Sequence, residues 1–375
     1  MNELDKLRNK IDEIDSCLLE LFEKRMAVSR SIGEYKRERS LPVLDENREK
    51  QVIQNRLDKV QDEKLKPAAR EFFTSLMRLS KNAQYPPPKK QPSPSSAASG
   101  VGVAYQGIPG CYGEEAALAY FKNDMTGIPL NDFEAVFRSV SEGGARYGVL
   151  PLENSSTGSI ARVYDLLMQY GCVITGEYYL PVNHCLLCVP GAAIEDIERI
   201  YSHEQGLLQC SAFLAAYPNW HQLPYHNTAV SARHVAELND RSNAAIAGRR
   251  AAEAYGLDIL AEGIQTYGGN YTRFIVVSNS AKNTGLENKI SLFFSLKHQS
   301  GTLHSALSHF ANTRLNLTKV ESRPAPYKSW EYVFFVDFEG NLSGNDVKEA
   351  LKALEKDCVE LRVLGNYIAG NKINE

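Results

Sequence analysis

Residues 86–100 read PPPKKQPSPSSAASG, five prolines, four serines and one glycine in a row of fifteen. Proline fixes φ and removes a backbone donor, so this run can enter neither a helix interior nor a central strand. It predicts a semi-extended linker and makes the chain multidomain, with residues 1–85 a separate module. That module holds 18 Lys or Arg and 16 Asp or Glu, 34 charges in all, and a single glycine, Gly33. Such a segment is expected to be helical almost throughout.

Composition narrows the class. At 375 residues, the chain is long enough for two to three domains. It is 43% hydrophobic with a formal net charge of −3, which supports buried cores and gives no basic footprint for nucleic acid. No apolar run approaches the ~18–20 residues that span a bilayer. The opening MNELDKLRNK is charged from the outset, unlike a secretory signal. The seven cysteines are an odd, scattered set without a disulfide framework. A cytoplasmic protein without a membrane span is expected.

Apolar residues in the first helix fall at 4, 7, 11, 14, 18, 21, 28, 32 and 35, the 3-4 spacing of a helix–helix seam. Arg25 occupies the vacant seam position. One reading makes it a register-setting residue, the other an anion-binding arginine inside a bundle. Arg8 and Lys36 flank the seam on one side. Asp45 stands where an N-cap belongs, with Arg48 and Glu49 in the following first turn. In a third helix, roughly 67–85, Ser80 and Gln84 continue the face of Phe73, Leu76 and Met77. Polar groups thus converge on what should be a core. Arg8 and Lys36 lie 28 residues apart, ~42 Å at ~1.5 Å per residue, so no small ligand touches both from one chain. If both serve one pocket, Arg8 comes from a partner and the module is a dimer.

This pattern (LxxLR8xxIDxID, Arg25, Lys36, D45xxR48E49 and S80xxxQ84) resembles the all-helical, intertwined chorismate mutases. The resemblance implies that Arg25 and the partner's Arg8 hold the two carboxylates of chorismate. It places Lys36 and Gln84 at the ether oxygen, with Asp45, Arg48, Glu49 and Ser80 completing the shell. A pericyclic rearrangement to prephenate needs no base. It needs a compact near-attack conformer and cations where charge builds on the breaking C–O bond.

From residue 101, short β-rich runs alternate with helical patterns, predicting α/β architecture. VGVAY (101–105), YGVLPL (147–152), RIYS (199–202) and AAIA (244–247) read as strands. Glu153–Gly158, ENSSTG, is expected at the N-terminus of a helix from about Ile160, a place suited to anions. Polar strand-end loops also occur at Ser202–Cys210, at Asn227 and Thr228, and in GGNYTRF (268–274). Together they predict a cleft for a small polar acid. AYQGIPG, LPLENSSTGSI, YSHEQGLLQC, the Thr228 loop, AAIAGRRAAEAYGL and NYTRF, in this order across 101–282, resemble prephenate dehydratase. The resemblance implies a two-lobed α/β domain in which Asn154, Gln209 and Thr272 are catalytic, Thr272 being the general acid. Ser155, Ser156, Thr157, Thr228 and Arg273 are the implied substrate-binding residues. The implied reaction expels the ring hydroxyl as water and the ring carboxylate as CO2, giving phenylpyruvate. The first glycine-rich loop departs from the family's GxxGxYS, with Gly113 in place of the serine.

Other readings are weaker. Cys185 and Cys188 lie three apart in VNHCLLCV with no second CxxC, so metal binding has no support, and His184 is read as packed. No GxGxxG follows a strand and no GxxxxGK[ST] occurs, so no nucleotide cofactor is expected, nor any other cofactor or metal.

Residues 286–375 read β-α-β-β-α-β, the α+β ferredoxin-like order. With Glu321-Ser322-Arg323-Pro324 after the second strand, the unit resembles the ACT regulatory domains fused to prephenate dehydratases. The resemblance implies L-phenylalanine binding by this motif and by Gly301, Thr302 and Leu303. His304 departs from the family's GALV-like loop. It also implies feedback inhibition through a domain dimer. Two rivals are a solute-binding sensor with the same two-lobed cleft, and a dehydratase whose helical module serves only to dimerise.

Overall fold

The computed structural model describes residues 3–38, 54–60, 62–66, 69–70, 72–73, 76–77, 80, 100–281, 284–324 and 332–370. The chain divides into two compact units, Met1–Ser93 and Pro94–Glu375.

In the first unit, Glu3–Glu38 is one unbroken helix of 36 residues, ~54 Å long at ~1.5 Å per residue. Seam residues Ile11, Ile14, Leu18, Leu21, Val28 and Ile32 are exposed along it. Met26 and Leu57 are buried, so the module has some core of its own.

The second unit is built from three sheets. Its first strands are β1 (Val101–Gln106), β2 (Met125–Leu130), β3 (Tyr147–Asn154), β4 (Gly158–Ser159) and β5 (Val173–Pro181). The chain then crosses to a second lobe with β6 (Cys185–Cys188), β7 (Arg199–Ser202), β8 (His221–Pro224), β9 (Asn243–Ala247) and β10 (Asp258–Glu262). It returns as β11 (Tyr271–Ser278), which inserts antiparallel between β3 and β5, giving the order β2-β1-β3-β11-β5. The second lobe orders its strands β10-β6-β9-β7-β8. Every residue of β9 is buried, as a near-continuous apolar run in a covered sheet should be.

Two segments, 182–184 and 263–270, therefore carry the chain between the lobes. They bind each other: Val182 N–H donates to Asn270 O (2.8 Å), and Ile264 N–H to His184 O (3.1 Å). The Gln265 side chain adds bonds to His184 N and to Asn183 Oδ1.

The last four strands are β12 (Lys289–Leu296), β13 (Leu317–Pro324), β14 (Tyr332–Glu339) and β15 (Cys358–Tyr367). With helices Thr302–Asn312 and Asn345–Asp357 they complete a βαββαβ unit, its antiparallel sheet ordered β13-β14-β12-β15. This is the α+β arrangement expected from the sequence. It shares a core with the first lobe, where Phe293, Phe335, Leu364 and Tyr367 pack with Val163, Leu166 and Ile174. At Gly365 a Cβ would lie 2.2 Å from the Ile174 carbonyl oxygen, so this approach of β15 to β5 requires glycine.

The ENSSTG segment differs from expectation. Glu153 and Asn154 end β3, residues 155–157 turn, and Gly158-Ser159 pairs back as β4. The helix starts later, at Ala161, without a side-chain cap. Asn154 overrides the helical pattern because its Oδ1 accepts from Ser156 N (2.9 Å) and Thr157 N (3.1 Å), closing an Asx-type turn.

Candidate functional sites

In the helical unit a cavity of about 470 Å³ is lined by Leu18, Leu19, Leu21, Phe22, Phe72, Leu76 and Arg25. Arg25 Nη1 donates to Leu76 O (3.3 Å), and Nη2 lies 3.1 Å from Met77 Sδ. Burial, and then the nearby Arg56, lower the pKa of its guanidinium from the ordinary value. Among the described residues the bonded partners of Arg25 are neutral. A cation so placed in an apolar cavity is poised for an anion. Ser80 is buried and its Oγ donates to the same Leu76 carbonyl (2.7 Å), so the expected convergence of residues 25 and 80 is present. Arg8 is exposed near Asp5 on the same long helix, 17 positions before Arg25. Asp45, Arg48, Glu49, Gln84 and the Lys36 side chain lie outside the described residues.

In the second unit, Ser155, Ser156, Gln209, Tyr267 and residues 268–270 line a cavity of about 290 Å³. Pairing of β3 with β11 sets Asn154 opposite Thr272. Asn154 Nδ2 donates toward Thr272 Oγ1 (2.9 Å), Asn270 Oδ1 (2.8 Å) and Tyr271 O (3.2 Å). Ser156 Oγ donates to Asn154 Oδ1 (2.6 Å) and accepts from Gln209 Nε2 (3.1 Å). The Thr157 hydroxyl is 3.3 Å from Asn154 Oδ1. Ser155 fastens the turn to the returning segment, donating to Gly269 O (3.1 Å) and accepting from Tyr271 N (2.9 Å). The expected catalytic trio of Asn154, Gln209 and Thr272 is thus gathered by hydrogen bonds. Thr228 begins helix Thr228–Leu238 beyond the N-cap Asn227 and does not line this cavity.

Arg273 is a correction. Successive strand side chains alternate faces, so with Thr272 set beside Asn154 the next side chain is carried to the opposite face. There the buried guanidinium bonds Glu177 (2.7 Å), Glu153 (3.0 Å), Asp337 (2.6 Å) and Tyr367 Oη (2.9 Å). Lys289 Nζ bonds both Glu177 oxygens at 2.9 Å. Arg273 therefore joins the first lobe to the C-terminal sheet instead of offering a free charge to substrate. Arg273→Leu is expected to destabilise the second unit by about 3–5 kcal/mol, the usual result of stranding a buried partner charge. Denaturant unfolding of the full chain measures it.

The expected phenylalanine motif is also split. Gly301, Thr302, Leu303 and His304 line a cavity of about 380 Å³ with Tyr332 and Phe334. Ser322 pairs with Phe334 and Pro324 with Tyr332, so these two share the cavity's face of the sheet. Glu321 and Arg323 sit on the other face, where Glu321 accepts from Ser159 Oγ (2.8 Å) and Arg323 pairs with Asp165 (3.2 Å). Strand parity thus places the side chains of Ser322 and Pro324, and not those of Glu321 and Arg323, on the face of this cavity.

Asn270 was quoted in the sequence only as part of NYTRF and given no role. Its Oδ1 anchors Asn154, while its buried Nδ2 has no partner among the described residues. The signal for it was its place in the motif, two positions before Thr272.

The geometry defines a two-lobed α/β cleft with hydroxyl and amide groups at its centre, joined in sequence to a helical module with a partly buried arginine in its apolar seam. Residues 103–282 match the family model described as prephenate dehydratase, and residues 7–85 that of chorismate mutase type II. A bifunctional chorismate mutase/prephenate dehydratase from Aquifex aeolicus is 34% identical, with 98% of each chain covered. An arogenate dehydratase from Arabidopsis thaliana is 39% identical over 74% of this chain and 69% of its own. A prephenate dehydratase structure from Arthrobacter aurescens, in complex with L-Phe, is 30% identical with a TM-score of 0.65, covering 71% of this chain and 89% of that one. The chain belongs to the bifunctional chorismate mutase/prephenate dehydratase family.

Proposed function

We propose the residue roles and the regulation through which this chain performs its family's two reactions. The chain is a bifunctional enzyme of L-phenylalanine biosynthesis: it rearranges chorismate to prephenate, then converts prephenate to phenylpyruvate with loss of water and CO2. Arg25, with Arg8 of a second copy, holds the chorismate carboxylates in the helical module. Lys36, Asp45, Arg48, Glu49, Ser80 and Gln84 complete that site. In the dehydratase step the C1–CO2 bond breaks, its electron pair enters the ring, and the hydroxyl at C4 leaves. Thr272 Oγ–H supplies the proton that makes it water, while Asn154 and Gln209 orient the acid and the substrate. Ser155, Ser156 and Thr157 border the substrate; Asn270 adds its free amide N–H. The observation that carries this reading is the hydrogen-bonded gathering of Asn154, Gln209 and Thr272 from three separate segments.

Residues 286–375 are an ACT-type regulatory domain. The cavity of Gly301, Thr302 and Leu303, with Ser322 and Pro324 on its sheet face, takes L-phenylalanine. Glu321 and Arg323 transmit its occupancy to the first lobe. The enzyme is a cytoplasmic homodimer that engages neither nucleic acid nor membrane and uses no cofactor. No helix among the described residues is long and apolar enough to cross a membrane. The exposed seam of the first helix is the dimer face, because so long an apolar stripe is costly to leave in water. Leu18→Lys removes about 1.5–3 kcal/mol of burial per copy. It is expected to raise the module's dimer dissociation constant by about 10²–10⁴-fold, measured by analytical ultracentrifugation.

The test of function is to incubate the purified chain with chorismate alone and identify products before any acid treatment. Phenylpyruvate establishes both activities. Prephenate without phenylpyruvate points to a disabled second site, with Gly113 the first suspect. Unchanged chorismate, with prephenate also untouched when supplied, refutes the reading. Arogenate assayed beside prephenate decides which acid the second site prefers.

A further inference from the structure

His184 lies on one of the two crossings between the lobes, immediately before β6, and is almost fully buried. Its Nε2 is 2.8 Å from Gln209 Oε1 and its Nδ1 is 3.0 Å from Tyr112 Oη. The Tyr112 and His184 rings meet edge to face at 5.9 Å. Both ring nitrogens have a partner, and one of those partners belongs to the dehydratase trio.

The direction of the hydrogens between His184 Nε2 and Thr272 follows from the backbone. Asn154 Oδ1 faces the main-chain N–H groups of residues 156 and 157, and its Nδ2 faces the main-chain carbonyl of Tyr271. Peptide groups cannot exchange donor for acceptor, so the Asn154 amide has one allowed orientation. Ser156 Oγ, 2.6 Å from Asn154 Oδ1, must then donate to it. Having spent its hydrogen, Ser156 can only accept from Gln209, whose NH2 therefore faces it and whose Oε1 faces His184. His184 Nε2 must carry the hydrogen. Burial lowers the pKa of His184 more than the Gln209 bond raises it, which favours the neutral ring. Nδ1 is then bare and faces the Tyr112 hydroxyl at 3.0 Å, whose other acceptor is the Asn183 carbonyl at 3.2 Å. At the far end Thr272 Oγ1 accepts from Asn154, so the hydrogen of Thr272 remains unspent.

We infer that His184 is a positioning residue for the dehydratase step, its Nε2–H fixing the Gln209 amide so that Ser156 keeps its hydrogen bond to Asn154 Oδ1 and steadies the amide that donates to Thr272. The inference rests on the reading of Thr272 as the general acid. Tyr112, from the first lobe, braces the other side of the ring through its contact with Nδ1. Loss of the Nε2 hydrogen lets the Gln209 amide turn, Ser156 then donates to Gln209, and Asn154 Oδ1 loses a partner.

The test uses the full chain with His184→Leu, His184→Gln, Tyr112→Phe and Thr272→Val, assayed on prephenate and on chorismate. A glutamine amide N–H can stand where Nε2–H stood; leucine offers none. His184→Leu is expected to lower the dehydratase kcat by about 10²-fold, the scale of a misaligned catalytic group, with KM within about threefold and mutase turnover unchanged. His184→Gln should recover at least about tenfold of that loss, and Tyr112→Phe should lose about tenfold. A kcat within threefold of the parent in His184→Leu overturns the inference. So does a His184→Gln variant no faster than His184→Leu, or a defect confined to KM. Should the leucine variant not fold, the glutamine and Tyr112→Phe kcat values still decide. Retained kcat in Thr272→Val refutes the general-acid reading and this route with it. A lost kcat there beside an unaffected His184→Leu refutes the His184 inference alone.

Discussion

Thr272→Val is expected to lower the dehydratase kcat by about 10³-fold, within the 10²–10⁴ range of general acid catalysis, while chorismate turnover stays at the parent rate. Valine is close to isosteric, and the site is built to tolerate it. Asn154 Nδ2 keeps Asn270 Oδ1 and Tyr271 O as acceptors, so no buried donor is stranded. Thr272 also remains within the ladder of β11 between β3 and β5. What disappears is the one hydroxyl in the trio with an unspent hydrogen. Phenylpyruvate formation from prephenate, followed at saturating substrate, measures the effect. Thr272→Ser, which restores a hydroxyl on a freer rotor, should recover most of it. A Thr272→Val enzyme that keeps its kcat would mean that the leaving hydroxyl takes its proton from elsewhere. Mutase turnover reports on a unit that contains none of these residues, so a change there would expose a preparation fault.

The parts of this molecule that declare themselves in sequence are those written locally. The runs at 101–105, 147–152, 199–202 and 244–247 are strands because β-branched and small apolar residues occur there in short blocks ended by turn residues. The βαββαβ order of the last unit follows from the same reading, as does a single long first helix. Asn154, Gln209 and Thr272 were legible through the motifs that surround them. Parity was the missed signal at Arg273 and in ESRP, since the side chains of neighbours in a strand point to opposite faces. Glu177 in VITGEYYLP and Asp337 amid the apolar run YVFFVDF were the hints that a buried cation awaited them. His184 was unreadable for a different reason. Its role depends on Gln209, 25 positions on, and on Tyr112, 72 positions back, contacts that only the crossing of the lobes creates.

Arg25→Leu separates function from framework because the two predict opposite signs. Arg25 interrupts an apolar seam, and its described partners are a carbonyl and a thioether, with burial working against its charge. Arg25 is partly buried, and replacing such a charge in an apolar seam by a hydrophobic residue of similar volume is expected to be neutral or mildly stabilising. Leucine also matches Leu18, Leu21 and Leu76 in the lining of the cavity. The helical module should therefore melt at the parent temperature or a few degrees above it. Activity should move the other way. A guanidinium held against developing charge is worth about 10²–10³ in rate, and more in kcat/KM if it also binds the dianion. Mutase kcat/KM is expected to fall by at least about 10³-fold, read from chorismate consumption. Prephenate supplied directly should still be dehydrated at the parent rate. A stabilised variant with full mutase activity would make Arg25 a register device and the module a dimerisation coil. A destabilised, inactive one would make it a structural residue. Only the combination of retained stability and lost turnover assigns it to substrate, and Arg25→Lys refines that result. An ammonium keeps the charge but lacks the planar fork that grips a carboxylate at two points, so it should recover a minor part of the rate.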